Sequence, residues 1–386
     1  MKSNKNNKKV SIILIHYNQK DYIKNALLSV FKQNYNNLEL ILADDASNDL
    51  DLEDLKKYIK KENHNNIEIK YSINEENVGT VKNINNSLKL VTGDYLLIFA
   101  ADDELYNENV ISKMVDFYNK QEEDVSIVFG QCLMMDNSLK ETKEKFINEE
   151  KGESFNKMTS QEQYKVLAFD CFAAMGACML DVKLLKEENG FDERFKYIED
   201  WTYYLKTTLT DHRMKYLDYN CLLHRDGGIS HSEQMTILKR DFFIDLLKKT
   251  EILIFPHLNM FNYQEKKILL KRYADDRDLL RNNGYYYDDV EYQNIKKKNI
   301  TFFMKRKIEQ INNESKLRIR KHINNLQICS VFVILLILLN IYLNNKYETI
   351  FNCGLVLLFI VIAYILLKIL ILLLIKILSK IRIIKF

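Results

Sequence analysis

The stretch Gly93-Asp94-Tyr95-Leu96-Leu97-Ile98-Phe99-Ala100-Ala101-Asp102-Asp103-Glu104-Leu105 decides how this chain folds. An unbroken apolar run leads straight into two adjacent carboxylates. Such a run reads as a strand covered on both faces, the kind used by parallel sheets. The carboxylates then stand at the strand's carboxyl end, where open α/β sheets bind their ligands. Two neighbouring anions repel each other unless a cation lies between them, and a hard divalent ion carrying substrate phosphates suits the pair. The competing reading is that Asp102 and Asp103 only cap a helix starting near Asn107, because Asp is favoured before helix starts.

The flanking sequence repeats the same theme. Residues 10–15 and 38–43 are apolar strands, the second ending in Asp44-Asp45-Ala46-Ser47. Residues 21–32 and 52–62 carry apolar positions at helical spacing, 67–71 reads as a third strand, and Asn77-Val78-Gly79 opens a helix that runs to 90. A helix over 110–119 and a strand over 126–129 continue the alternation. The expectation is an α/β fold with a mostly parallel sheet and helices on both faces. Right-handed crossovers place every parallel strand's carboxyl end on one edge, which brings Asp45 to Asp102 and Asp103. Residues 140–157 are charged and read as a mobile loop. Residues 172–180 are small and apolar, and 191–210 contain Glu199-Asp200-Trp201. The stretch 236–325 reads as a polar, lysine-rich helical linker. Its basic runs at 296–298 and 305–307 suit either anionic headgroups or an ordinary solvated face.

A net charge of +3 over 386 residues gives no electrostatic footprint for nucleic acid. The six cysteines form no C-x-x-C and read as small buried apolar residues, not as a disulfide framework or zinc site. Neither a G-x-G-x-x-G nor a G-x-x-x-x-G-K-[ST] motif is present. Residues 1–9 form a polar tail without an apolar signal core, so the expectation is a cytoplasmic catalytic portion. Residues 328–343 and 350–378 are almost wholly apolar and long enough to cross a bilayer as a helical hairpin. Lysine and arginine flank both outer ends, which the positive-inside rule places in the cytoplasm. The expected location is the cell membrane, with two spans.

With those pieces placed, residues 10–235 resemble the family 2 glycosyltransferases of the GT-A fold, a Rossmann-like architecture that binds nucleotide-sugars. The matching pieces are Val10-Ser-Ile-Ile-Leu-Ile-His16-Tyr17-Asn18, Leu27-Leu28-Ser29-Val30-Phe31-Lys32-Gln33 and Glu39-Leu-Ile-Leu-Ala-Asp44-Asp45-Ala-Ser47. Asn77-Val78-Gly79 with Asn85, Gly93-Asp94-Tyr95 leading into Asp102-Asp103, and Glu199-Asp200-Trp201 complete the set. The resemblance implies that Asp45 recognises the base or ribose of the donor, with Tyr17, Asn77, Gly79, Lys82 and Asp102 also on the donor. It implies that Asp102 and Asp103 hold a divalent cation (Mg²⁺ or Mn²⁺) and the diphosphate, and that Asp200 is the general base. Glu199, Trp201, His224 and Arg225 stand where phosphate or acceptor contacts are expected. The chain departs from the family's pattern at Ala100, where an aspartate is usual, at Ile15 in place of proline and at Ile84 in place of arginine. Arg225 falls where a histidine is common.

The function implied is inverting, metal-dependent transfer of a sugar from a nucleotide-sugar, expected to be a UDP-sugar, to a hydroxyl of a lipid-linked glycan in bacterial surface-polysaccharide assembly. The missing Gln-x-x-Arg-Trp element disfavours a processive synthase. The alternative is a catalytically inactive membrane scaffold that retains the fold.

Overall fold

The structure is a computed structural model that describes residues 8–136, 138–140, 142–225 and 236–287. Residues 226–235, the basic runs and both apolar C-terminal stretches lie outside the described residues. Among the described residues no helix is long and apolar enough to cross a membrane.

The apolar runs form β1 (Val10–His16), β2 (Leu38–Asp44) and β4 (Tyr95–Ala100), with β3 (Glu68–Ile73) beyond β2. These four strands are parallel, in the order β3-β2-β1-β4, and Ile13 of β1 lies opposite Ile41 and Ile98. Side chains alternate across the sheet. Ile13, Ile41 and Ile98 pack on one side with Val81, Ile84 and Leu88 of α3 (Thr80–Leu88). Ile12, Leu14, Leu40, Leu42 and Leu97 pack on the other. That second layer is closed by α1 (Ile23–Phe31), α2 (Leu52–Glu62) and α4 (Val110–Tyr118).

Beyond β4 the sheet becomes mixed and reaches nine strands, where the sequence reading expected a mostly parallel one. Strand β8 (Cys178–Asp181) inserts antiparallel between β4 and β6 (Val125–Met135), and β9 (Arg213–Arg225) runs parallel to β6. The short β5 (Glu104–Leu105) closes the far edge against β9. A four-residue strand leaves almost no periodicity to read. Its entry depends on Gly176, where a Cβ would lie 2.6 Å from Leu222 Cδ2 and 3.0 Å from Phe99 Cβ.

Two segments differ from their sequence reading. Residues 142–145 form β7, paired with β6, and Glu149–Asn156 form α5, where a mobile loop was expected. Two apolar residues in this charged stretch suffice to anchor it: Ile147 and Phe155 are buried, and Phe155 meets Phe129 and Phe172 edge-on at 5.9 and 4.9 Å. α6 (Ser160–Leu167) and α7 (Val182–Glu187) flank the same core, and α8 (Glu199–Leu209) follows. The second difference lies after residue 235, where a linker was expected. α9 (Ile237–Lys249) and α10 (Tyr263–Asn282), joined by a π turn and a 3₁₀ segment, belong to the same compact unit as the sheet. Leu253, Ile254, Phe255, Phe261, Leu269, Leu270 and Tyr273 are buried there, and the Tyr164 hydroxyl donates to the Leu253 carbonyl at 2.7 Å. Lysines interspersed along these helices mask the apolar spacing in the sequence.

Each of those apolar side chains contributes about 1.5–3 kcal/mol by burial. A chain ended after residue 287 is therefore expected to melt cooperatively. A chain ended after 235 loses that layer and is expected to be insoluble or to melt far lower. Comparing the two by circular dichroism checks the boundary.

Candidate active site

β1, β2 and β4 end side by side. Asp45 donates its N–H to the His16 carbonyl at 3.0 Å, and Ala101 donates to the Ile15 carbonyl at 2.8 Å. Asp45 and Asp102 thus leave the two strands that flank β1, at one level of the carboxyl-terminal edge. His16, fully buried, holds Asp44 through Nδ1 at 2.7 Å, and Ser47 bonds the same carboxylate at 2.6 Å. Asp44 and its partners brace the turn, while Tyr17 stands 45% exposed above it.

Asp45 is itself buried. One carboxylate oxygen accepts from the Val78 N–H and the Asn74 amide, each at 2.9 Å, and the other accepts from the Gly79 N–H at 2.9 Å. This carboxylate shapes the 77–79 turn before it meets any ligand. Gly79 adopts φ +88°, a left-handed conformation that side chains avoid, and a Cβ there would sit 2.9 Å from Lys196 Cγ. Asn77 and Lys82 are exposed beside the turn, and Lys82 has no ion-pair partner among the described residues. A phosphate held at this corner would meet the Lys82 charge and the N-terminus of α3 together. Asn85 is turned the other way. Its amide bonds the backbone N–H and carbonyl of Phe191, at 2.9 and 2.8 Å, and fastens the loop that leads to α8.

Asp102 and Asp103 do not cap a helix. α4 starts at Val110, its cap position is Asn109, and β5 intervenes. The two carboxylates are divided between roles. Asp103 is buried, with His224 Nδ1 at 3.0 Å from both of its oxygens and the Arg225 N–H at 3.1 Å. Arg225 is buried too; its Nε–H donates to the Asp102 carbonyl at 3.0 Å, and its guanidinium lies 4.4 Å from the centroid of the Tyr22 ring. Asp102 keeps a partly exposed carboxylate, bonded by the Gln19 side chain. Burial, and then the Asp103 charge, hold the Asp102 carboxyl above its ordinary value. Both influences disfavour the charged form. An oxygen donor of this kind, with a second carboxylate and an imidazole behind it, fits a divalent cation that shares its remaining positions with phosphate and water. Among the described residues no cluster of three or more ligating side chains assembles.

Glu199 and Asp200 open α8, and both are partly exposed. The Asp200 carboxylate accepts the N–H of Trp201 at 2.6 Å, and the Cys171 thiol lies 3.9 Å from its other oxygen. Burial raises the Asp200 carboxyl, while the Trp201 N–H and the nearby Lys249 charge pull it back down. Burial and then the Asp200 charge raise Glu199, whose Oε2 is shielded from solvent without a hydrogen-bond partner. Trp201 directs its indole N–H to the Leu167 carbonyl at 2.6 Å, so that donor is closed to substrate.

The site also depends on residues the sequence reading passed over: Asn74, Gln19, Tyr22 and, on α9, Asp245 and Lys249. Asp245, buried, accepts the N–H groups of Lys196 and Tyr197 at 2.6 and 2.8 Å and so holds the loop entering α8. Asn, abundant through the chain, offered no local signal. Asp245 and Lys249 come from a stretch whose composition reads as solvated helix.

Residues 11–186 match the glycosyl transferase family 2 profile, which covers the strands carrying Asp45 and Asp102. A Campylobacter jejuni GalNAc(5)-diNAcBac-PP-undecaprenol beta-1,3-glucosyltransferase is 30% identical over 127 residues, 33% of this chain and 38% of that protein. A Mycoplasma genitalium processive diacylglycerol beta-glycosyltransferase is 31% identical over 121 residues, 31% of this chain and 35% of that protein. The chain thus spans little more than a third of the length of these relatives. The crystal structure of S. aureus TarS 1–349 in complex with UDP-GlcNAc shares the fold at a TM-score of 0.50 and 22% identity, over 70% of this chain and 72% of that one.

The Asp45 geometry has a direct consequence. Asp45→Asn sets an amide donor against the donors of the 77–79 turn, and an unsatisfied buried polar group costs about 1–3 kcal/mol. The variant is expected to melt measurably lower even without ligand. An unchanged melting temperature would show that Asp45 serves the ligand alone.

Proposed function

We propose that this protein transfers a sugar, with inversion, from a nucleotide-sugar to an acceptor hydroxyl. The carrying observation is the partly exposed Asp102 carboxylate beside Asp103 and the Asp45-shaped turn, on the sheet edge of a domain whose residues 11–186 match glycosyl transferase family 2. A divalent cation bound at Asp102, with Asp103 and His224 behind it, would neutralise the leaving diphosphate as a Lewis acid. The 77–79 turn and Lys82 orient the donor, and Asp45 keeps that turn in place. Asp200 takes the proton of the acceptor hydroxyl as its oxygen bonds to the sugar carbon and the bond to the diphosphate breaks. The Trp201 N–H, which bonds the Asp200 anion, keeps it directed. The presence of Asp45, Asp102, Asp103 and Asp200 together weighs against an inactive scaffold.

The acceptor proposed is a lipid-linked glycan, in surface-polysaccharide assembly. This reading is supported by the apolar stretches 328–343 and 350–378, which suit a membrane hairpin with the catalytic domain in the cytoplasm, and by the undecaprenol-linked substrate in the C. jejuni relative's name. The donor class proposed is a UDP-sugar.

Two measurements test the chemistry. A divalent ion is expected to be required for nucleotide-sugars to raise the melting temperature, and Asp102→Ala is expected to abolish that shift; stabilisation undiminished by chelator would refute the cation site. Asp200→Asn is expected to leave donor affinity nearly unchanged and to lower transfer by about 10²- to 10⁴-fold. Because its carboxyl is raised, the acid limb of the wild-type rate profile is expected at higher pH than an ordinary aspartate gives. Near-normal turnover in Asp200→Asn would sink the base assignment.

A further inference from the structure

Lys249, the last residue of α9, is 4% exposed, and its ammonium lies over the ring of Trp201, 2.9 Å from the ring centroid. A buried ammonium is costly unless it meets compensating charge or a π face. Trp201 offers the face, and its backbone N–H is the group that bonds Asp200. The indole is held at its other end by the Leu167 carbonyl. A cation on the ring therefore acts on a side chain with little freedom, one peptide away from the carboxylate.

We propose that Lys249 is a positioning residue of the transfer site: seated on the Trp201 ring, its ammonium steadies the first turn of α8 and adds a positive charge near Asp200. This role rests on Asp200 acting as the base. The charged and titratable groups around Lys249 are Asp200 on α8, Cys171 on the segment before β8, and Asp276 and Arg272 on α10. Around Asp200 stand Glu199, Cys171, Lys249 and the Tyr204 hydroxyl. Burial draws Lys249 down to about 7, against Cys171, Asp276 and Asp200, which favour the ammonium, and with Arg272, which opposes it. A lysine in that range changes charge near neutral pH, so its influence on Trp201 is open to titration.

Trp201 is the chain's one tryptophan, so its fluorescence in the full-length protein reports this contact without reference to activity. Wild type is expected to show a fluorescence midpoint near 7 as the ammonium is lost. Lys249→Met, which keeps the stem but removes the charge, is expected to lack it, as is Lys249→Arg, whose guanidinium stays charged. In steady-state kinetics, loss of the cation disfavours the Asp200 anion. The acid limb of the kcat profile should move to higher pH in Lys249→Met by about one unit, a tenfold loss below that limb. Donor KM is expected to hold, and Lys249→Arg to restore the limb. A midpoint that persists in both variants, or a Lys249→Met profile that superimposes on wild type while only the melting temperature falls, overturns the proposal. An inactive wild type sinks the transfer reading, and this role with it. An active wild type with an unmoved Lys249→Met profile sinks this inference alone.

Discussion

Asp45 stands at the end of β2 with three N–H donors around its carboxylate, all from the stretch that carries the chain from β3 into α3. In a buried setting such an anion is stable only while all three donors remain in place. The requirement runs both ways: the strand end fixes the turn, and the turn satisfies the strand end's buried carboxylate oxygens. Gly79 can then take its left-handed conformation against the Lys196 side chain, and the Val81 N–H reaches the Lys196 carbonyl at 3.3 Å. The corner proposed to hold the donor is thereby joined to the loop entering α8.

That loop is fastened three times over. Asn85 bonds Phe191, Asp245 bonds Lys196 and Tyr197, and the Lys196 carbonyl accepts from α3. The proposed base at the head of α8 is therefore referenced to the proposed donor corner through short polar contacts, with the helix behind it carried by packing. Rigid support of this kind matters because reacting atoms misplaced by about 1 Å lose large factors in rate. The helices after residue 235 reach this region too: Asp245 holds the loop entering α8, and Lys249 lies over Trp201.

The two acidic pairs illustrate how environment separates adjacent residues. Asp103 is enclosed by His224 and Arg225, while Asp102, one peptide away, stays partly exposed with its proton affinity raised by burial and by the Asp103 charge. Asp200 has the Trp201 N–H and the Lys249 charge, whereas Glu199 has an oxygen without a partner. Neighbours in sequence differ because each faces a different wall in a medium where a single donor changes the charge balance.

The sequence by itself determined the α/β alternation, the strands β1, β2 and β4, and the placement of Asp45, Asp102 and Asp103 on one sheet edge. Those features follow from local apolar runs and the handedness of crossovers, which need no distant partner to be read. The tertiary structure alone decided that β8 enters antiparallel, that residues 142–156 and 236–287 are ordered parts of the domain, and which carboxylate of each pair is engaged. It also decided that Asn74 and Asp245 hold the turns at the site and that Lys249 lies over Trp201. In these cases the partners lie tens of residues away, so charge and hydrogen bonding are completed only when the chain closes on itself, and no local periodicity records them.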